Sequence, residues 1–109
     1  MIRGDVVTVA APGDYGMPRP AVIVQSDALP ETHASVVVCQ MTSEIIDAPF
    51  LRVTVEPSPD NGLRSLSQIM ADKPISISRK RVGHPIGRLA EEDIRQLNAS
   101  LAFVLGLAD

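Results

Sequence analysis

Short apolar segments, separated by turn-forming residues about every ten positions, run through most of this chain and constrain its fold more than any other feature. The segments are rich in Val, Ile and Thr, and each is about four to eight residues long, which is typical of β-strands. Strands this short and this regularly interrupted favour a small barrel or a sandwich. The predicted strands are residues 3–10, 21–25, 35–40, 50–56, 67–71 and 75–78.

The C-terminal segment changes from strand to helix periodicity. An acidic turn at residues 91–93 suits the positive end of a helix dipole, and apolar residues then recur at helical spacing from Ile94 to Leu105. Gly106 can end the helix. A chain of 109 residues suits one domain, so we expect a single domain over residues 1–109, mainly β, in which one amphipathic helix closes a small β-barrel. An apolar helix face left uncovered would favour a homodimer.

Composition and charge narrow the function classes. The net charge is -3 and only 3% of the residues are aromatic, which argues against a base-stacking RNA-binding sheet. The charge is unevenly distributed, because residues 61–90 contain six basic residues and one acidic residue. That segment is either a basic surface for a phosphate chain or a set of solvated side chains that guard a strand edge.

Cysteine and histidine usage indicates neither a disulfide nor a metal site. Cys39 is the single cysteine and lies in a predicted buried strand, where a small buried residue is the expected role. His33 and His84 lie far apart, in a predicted loop and a predicted turn, so we expect no metal ligation. The sequence has no signal-peptide pattern and no run of about 18 apolar residues, so we expect a cytoplasmic protein without membrane contact.

One arginine lies in a stiff segment. Arg19 is flanked by Pro18 and Pro20, after a turn cluster at residues 12–16 and before the strand at 21–25. Because proline restricts the residue before it, Pro20 biases Arg19 towards an extended conformation. A cationic side chain on a stiff loop end is suited to holding a phosphate, although a solvated loop arginine is the commoner explanation for such a pattern.

Five sequence blocks, in this order, resemble those of the MazF/PemK family of toxin endoribonucleases. Each block alone is common, but their joint occurrence covers nearly the whole chain. The blocks are residues 2–7 (IRGDVV), 16–27 (GMPRPAVIVQSD), 40–43 (QMTS), 62–63 with 67–73 (GL and SQIMADK), and 87–89 (GRL) before an acidic helix start.

The resemblance implies an SH3-like β-barrel that forms a homodimer, cleaves single-stranded RNA without a metal and is neutralised by a cognate antitoxin. It implies no cofactor, and DNA would be contacted only indirectly, through the antitoxin. In such cleavage the 2′-OH of the substrate attacks the phosphorus and leaves 2′,3′-cyclic phosphate and 5′-OH ends. The reaction needs removal of a proton, stabilisation of phosphorane charge and help for the leaving oxygen.

By their places in these blocks, the resemblance makes Arg19, Thr42 and Asp72 the catalytic candidates. A guanidinium offers a planar fork of donors to phosphate oxygens, and a threonine hydroxyl can donate to another. Asp72 has two interpretations, acid–base chemistry or orientation of a neighbouring cation, because Met70 stands where some family members carry an arginine. The expected RNA contacts are Tyr15, Gly16, Met17, Pro18, Ser43, Arg52, Gln68 and Lys73.

Other functions of the same fold stay open at this point. CcdB-like toxins use this barrel to bind DNA gyrase without chemistry, but they carry a tryptophan-containing C-terminal tail and this chain has no tryptophan. A catalytically silent interaction module is a second alternative, against which the presence of Arg19 and Thr42 argues. A generic SH3-like peptide binder is the least favoured because its groove needs aromatic residues.

Overall fold

Six strands and one helix make up the residues that the computed structural model describes, 1–10 and 17–107. A mainly β domain with one C-terminal helix was predicted, and this prediction is confirmed. A short 3-10 turn at Arg79–Arg81 joins the last two strands. The elements are β1 (Asp5–Val9), β2 (Arg19–Ile23), β3 (Ser35–Thr42), β4 (Arg52–Val55), β5 (Ser67–Ser78), β6 (Val82–Arg88) and α1 (Glu91–Val104).

The strands form one antiparallel sheet in the order β4-β5-β3-β2-β1-β6. Within the described residues β4 and β6 remain the two edges of this sheet, so the predicted closed barrel is not completed by a hydrogen-bonded ladder. The loop between β4 and β5 contacts β6 instead, where the backbone N–H of Arg88 donates to the carbonyl of Asp60 at 2.8 Å. The two ends of the sheet are thus joined through a loop.

Two strand predictions differ from the structure for reasons of backbone chemistry. Residues 67–78 form one strand and not two. The register with β3 shifts between the Cys39–Pro74 and Met41–Ile69 pairs, so β5 accommodates the residues between Ile69 and Pro74 without ending. Strand β6 was missed, and His84 was assigned to a turn, because the strand contains two glycines and Pro85. An edge strand tolerates such residues, since one side of its backbone makes no ladder bonds.

Side chains of the central strands alternate between two apolar clusters on opposite faces of the sheet. Helix α1 covers the first cluster through Leu97 and Leu101. Cys39 is fully buried in this cluster, and burial raises the pKa of its thiol to about 11, as befits a packing residue and not a nucleophile. The second cluster comprises Val7, Val9, Ala21, Ile23, Val36, Val38 and Ile77.

Helix α1 leaves apolar side chains exposed near its C-terminal end. Phe103 is 55% exposed and packs against Phe50 at a ring-centroid distance of 5.8 Å, and Leu105 follows at 57% exposed. Gly106 ends the helix with a φ of 74°, as predicted from its position. Within residues 1–10 and 17–107, no helix combines the length and the apolarity needed to cross a membrane.

Candidate functional site

Arg19 is the first residue of β2, and its backbone is extended, as the flanking prolines predicted. It lies opposite Val9 of β1, while Pro20 lies opposite Thr8. Pairing with β3 begins only at Ala21, so the missing N–H of Pro20 interrupts no bond on that side. The prolines therefore fix the start of the strand without the loss of a hydrogen bond to β3. The exposed side chain of Arg19 projects from this stiff backbone.

Thr42 is the last residue of β3 and lies opposite Gln68 of β5. Its hydroxyl oxygen accepts a hydrogen bond from the backbone N–H of Glu44 at 3.1 Å, which turns the chain out of the strand. A hydroxyl that accepts in this way can still donate its own hydrogen. Thr42 thus combines a local structural role with an available donor, and the exposed Ser43 adds a second hydroxyl beside it.

A buried asparagine holds the loop that faces these two residues. Asn61 is only 4% exposed, and its Oδ1 accepts hydrogen bonds from the backbone N–H groups of Ser58 and Leu63, each at 3.0 Å. Its Nδ2 donates to the carbonyl of Glu56 at 2.8 Å. These bonds fix the backbone on both sides of Asn61, so the following residues leave the loop in a defined direction.

Two glycines allow this loop to lie directly on β6. Gly62 has a φ of 71°, and a Cβ at this position would overlap the carbonyl of Ile86. Gly87 of β6 is equally restricted, because a Cβ there would overlap the backbone of Asn61. The loop and the edge strand therefore approach backbone to backbone, which leaves no room for larger residues.

The start of β2, the end of β3 and the loop at residues 62–65 line one groove of about 480 Å³. Four predicted site residues line it together, namely Pro18, Arg19, Thr42 and Ser43. Arg64 also lines the groove and was not predicted as a site residue; its sequence signals are the Asn-Gly turn that precedes it and its place in the basic segment 61–90. Among the described residues that line the groove, the charged side chains are those of Arg19 and Arg64, so the groove is cationic.

Four other predicted site residues do not line this groove. Arg52 and Asp72 form an ion pair at 3.2 Å between β4 and β5, with side chains 11% and 23% exposed. Gln68 is buried, and its amide donates to the carbonyl of Ile46 at 2.9 Å and accepts from the N–H of the same residue. Lys73 is exposed on β5. Through these two hydrogen bonds, Gln68 holds the loop that follows β3.

The remaining predicted RNA contacts precede β2. Met17 is 64% exposed just before Pro18. Tyr15 and Gly16 lie outside the described residues.

The basic residues of the segment 61–90 are distributed over several surfaces. The Arg79 side chain donates to the carbonyl of His33 at 2.8 Å, and that of Arg81 donates to the carbonyl of Ala10. Arg88 pairs with Asp5 at 3.3 Å. The segment therefore does not form one continuous basic surface, because most of these arginines hold neighbouring loops and strands, while Arg64 lines the groove.

The described parts of the chain contain no group of three or more His, Cys, Asp or Glu side chains placed to hold a metal ion. The chemistry that the groove itself offers comes from two guanidinium groups and from hydroxyls. Such groups stabilise negative charge on a phosphate or on a phosphorane.

Comparison with known proteins places the chain in a family. The family model for PemK-like, MazF-like toxins of type II toxin–antitoxin systems matches residues 2–105. A protein of Mycolicibacterium smegmatis named probable endoribonuclease MazF is 44% identical over 109 residues, which span 99% of each chain.

Solved structures share the fold at lower identity. An endoribonuclease from mycobacterial species, in complex with its cognate antitoxin, superposes with a TM-score of 0.79 at 24% identity and covers 98% of this chain and 96% of its own. The Mycobacterium tuberculosis toxin MazF-mt6 superposes with a TM-score of 0.80 at 19% identity, covering 94% and 96%. With a family model matching nearly the whole sequence and a curated relative at 44% identity, the chain belongs to the PemK-like, MazF-like toxins of type II toxin–antitoxin systems.

Proposed function

We propose that this protein is the endoribonuclease toxin of its toxin–antitoxin pair and cleaves single-stranded RNA in the Arg19 groove without a metal. The observation that carries the proposal is that Arg19 and Thr42, which come from separate sequence blocks, line the same cationic groove. The relative named a probable endoribonuclease, which matches over 99% of the chain, supports the same activity.

The reaction follows from groups that can meet a phosphodiester in the groove. The substrate 2′-oxygen attacks phosphorus as its proton passes to solvent water, the bond from phosphorus to the 5′-oxygen breaks, and that oxygen takes up a proton from solvent. The products are a 2′,3′-cyclic phosphate and a 5′-OH. Arg19 donates to the non-bridging oxygens as charge develops on them, and the Thr42 hydroxyl donates to the same group.

The dimensions and the lining of the groove favour recognition of a flexible strand by its backbone. A volume of about 480 Å³ lies within the range of about 300–1,000 Å³ that is typical of small-ligand pockets. The described lining has no aromatic side chain for base stacking. The hydroxyls of Ser43 and Ser65 are the groups we assign to base edges, and they would give the cleavage its sequence bias.

The expected partners follow from the family. The neighbour solved in complex with its cognate antitoxin supports a protein antitoxin for this chain as well, and we expect it to compete with RNA for the groove. Contact with DNA would come only through that antitoxin. The exposed Phe103 and Leu105 at the end of α1 support a homodimer, since a partner would cover them.

The experiment that tests the activity uses purified protein and a long single-stranded RNA in excess EDTA, with the ends of the fragments mapped chemically. We expect discrete cuts with 2′,3′-cyclic phosphate and 5′-OH ends. If a well-folded protein makes no cuts, the nuclease proposal fails, and binding to DNA gyrase becomes the next measurement.

Replacing Asp72 separates a catalytic role from a structural one. Asp72→Ala leaves the mostly buried Arg52 without its carboxylate, so we expect the free energy of unfolding to fall by about 1–3 kcal/mol. Because Asp72 does not line the groove, the cleavage rate per folded molecule should stay within about threefold of the wild-type rate. A tenfold change in rate would correspond to about 1.4 kcal/mol of activation free energy. Chemical unfolding and single-turnover cleavage measure the two quantities. A large loss of rate in fully folded protein would instead make Asp72 a catalytic residue.

A further inference from the structure

Among the described residues, Arg64 differs from the arginines around it because its side chain does not hold another part of the protein in place. The guanidinium groups of Arg52, Arg79 and Arg88 are bound to a carboxylate or to a backbone carbonyl. Within residues 1–10 and 17–107, the Arg64 side chain makes no ion pair or hydrogen bond, and the residue is exposed at the rim of the groove. A charged fork in this position is available to a ligand.

The backbone that carries Arg64 is nevertheless rigid. Asn61 fixes the loop from inside through its buried amide, and the contact of Gly62 with Ile86 fixes it against β6. The next residue, Leu63, is tied to Asn61 through its N–H. The direction in which Arg64 leaves the loop is therefore set before any substrate binds, which lowers the ordering cost of a contact.

We propose that Arg64 is a substrate-anchoring residue that binds a phosphate of the RNA strand next to the scissile phosphate, which Arg19 engages. This inference rests on the proposed ribonuclease function and assigns its second phosphate contact. The two arginines come from different elements that line the groove, β2 and the loop before β5, so a strand that fills the groove would contact both. Arg64 binds substrate and transition state equally, so its loss weakens binding and leaves the chemical step nearly unchanged.

The test compares Arg64→Ala with Arg95→Ala, which removes the same charge from an exposed position on α1 outside the groove. Affinity for an RNA oligonucleotide that carries 2′-O-methyl groups throughout, and so cannot be cleaved, is measured as salt is raised. For Arg64→Ala we expect affinity to fall about tenfold at low salt, and the slope of log K against log salt to fall by about 0.7. In cleavage assays KM should rise while kcat stays within about threefold. Arg95→Ala should change neither.

Arg64→Lys refines the assignment, because it keeps the charge and loses the fork. It should retain the salt slope and recover part of the affinity. Equal salt slopes and equal KM for the two alanine variants would overturn the anchoring role, while loss of cleavage in Arg19→Ala would still support the nuclease. A changed cleavage sequence with unchanged salt slope would also overturn it and make Arg64 a reader of bases. Wild-type protein that neither binds nor cuts RNA would overturn both proposals.

Discussion

Arg19→Ala is expected to lower kcat for RNA cleavage by about 100- to 1,000-fold, the loss found when one preorganised donor to a developing oxyanion is removed. The physical reason is that, in the mechanism we propose, Arg19 donates to phosphate oxygens whose charge grows in the transition state. The side chain is exposed at the start of β2, so the melting temperature should change by no more than a few degrees. Single-turnover cleavage in excess EDTA measures the rate, and circular dichroism follows the melting.

Two variants make this result specific to the geometry of the group. Arg19→Lys keeps the charge but cannot donate a planar fork, so its rate should lie between those of alanine and wild type. Arg95→Ala on α1 removes an equal charge elsewhere and should cleave like wild type. Near-wild-type cleavage by folded Arg19→Ala would remove this arginine from the mechanism.

Gly62→Ala is expected to cause the largest loss of stability, at least about 3 kcal/mol. A φ of 71° is strained for any residue with a Cβ, and at this position the Cβ also overlaps the carbonyl of Ile86, which is backbone and cannot rotate away. The loop must then leave β6, and Arg64 moves with it, so RNA affinity should fall together with stability. Denaturant unfolding at fixed protein concentration measures the first effect, and the oligonucleotide binding assay measures the second.

Gly106→Ala provides the matched control for this substitution. Gly106 has nearly the same φ, 74°, but lies exposed at the end of α1. It should therefore show the conformational cost alone, about 1–2 kcal/mol. The difference between the two variants measures the contact of the loop with the edge strand, and equal losses would mean that this contact contributes nothing.

Sequence-based predictions agree with the structure where a feature depends on neighbouring residues, and they fail where it depends on contacts between segments distant in sequence. The extended backbone of Arg19 follows from its own neighbours, Pro18 and Pro20, and the start of α1 follows from local charge and periodicity. Strand β6 was missed because glycine and proline indicate a turn in isolation. It is stable as a strand only because β1 pairs with one of its sides and the loop from β4 covers part of it.

The residues of the candidate site also fall into those predictable from local sequence and those whose contacts only the fold reveals. Arg19 and Thr42 were predicted because each lies in a recognisable block, and the structure places both in one groove. Gln68 lies in another of these blocks and Arg52 lies in the predicted strand at residues 50–56. Their side chains bind Ile46 and Asp72, at separations of about twenty residues that no local pattern reveals. Arg64 was not predicted, because its interest lies in making no ion pair or hydrogen bond within residues 1–10 and 17–107, and only the folded molecule shows this.

The sequence by itself determined the class of fold, most strand positions, the C-terminal helix, the family and the two residues, Arg19 and Thr42, on which our proposed chemistry is centred. These features depend on backbone propensity and on short ordered blocks, which are encoded over a few residues. The tertiary structure alone decided how the sheet ends meet, which arginines hold loops and which face the groove. Those outcomes depend on contacts between segments distant in sequence, such as Gly62 on Ile86, whose fit is set only when the whole sheet has formed.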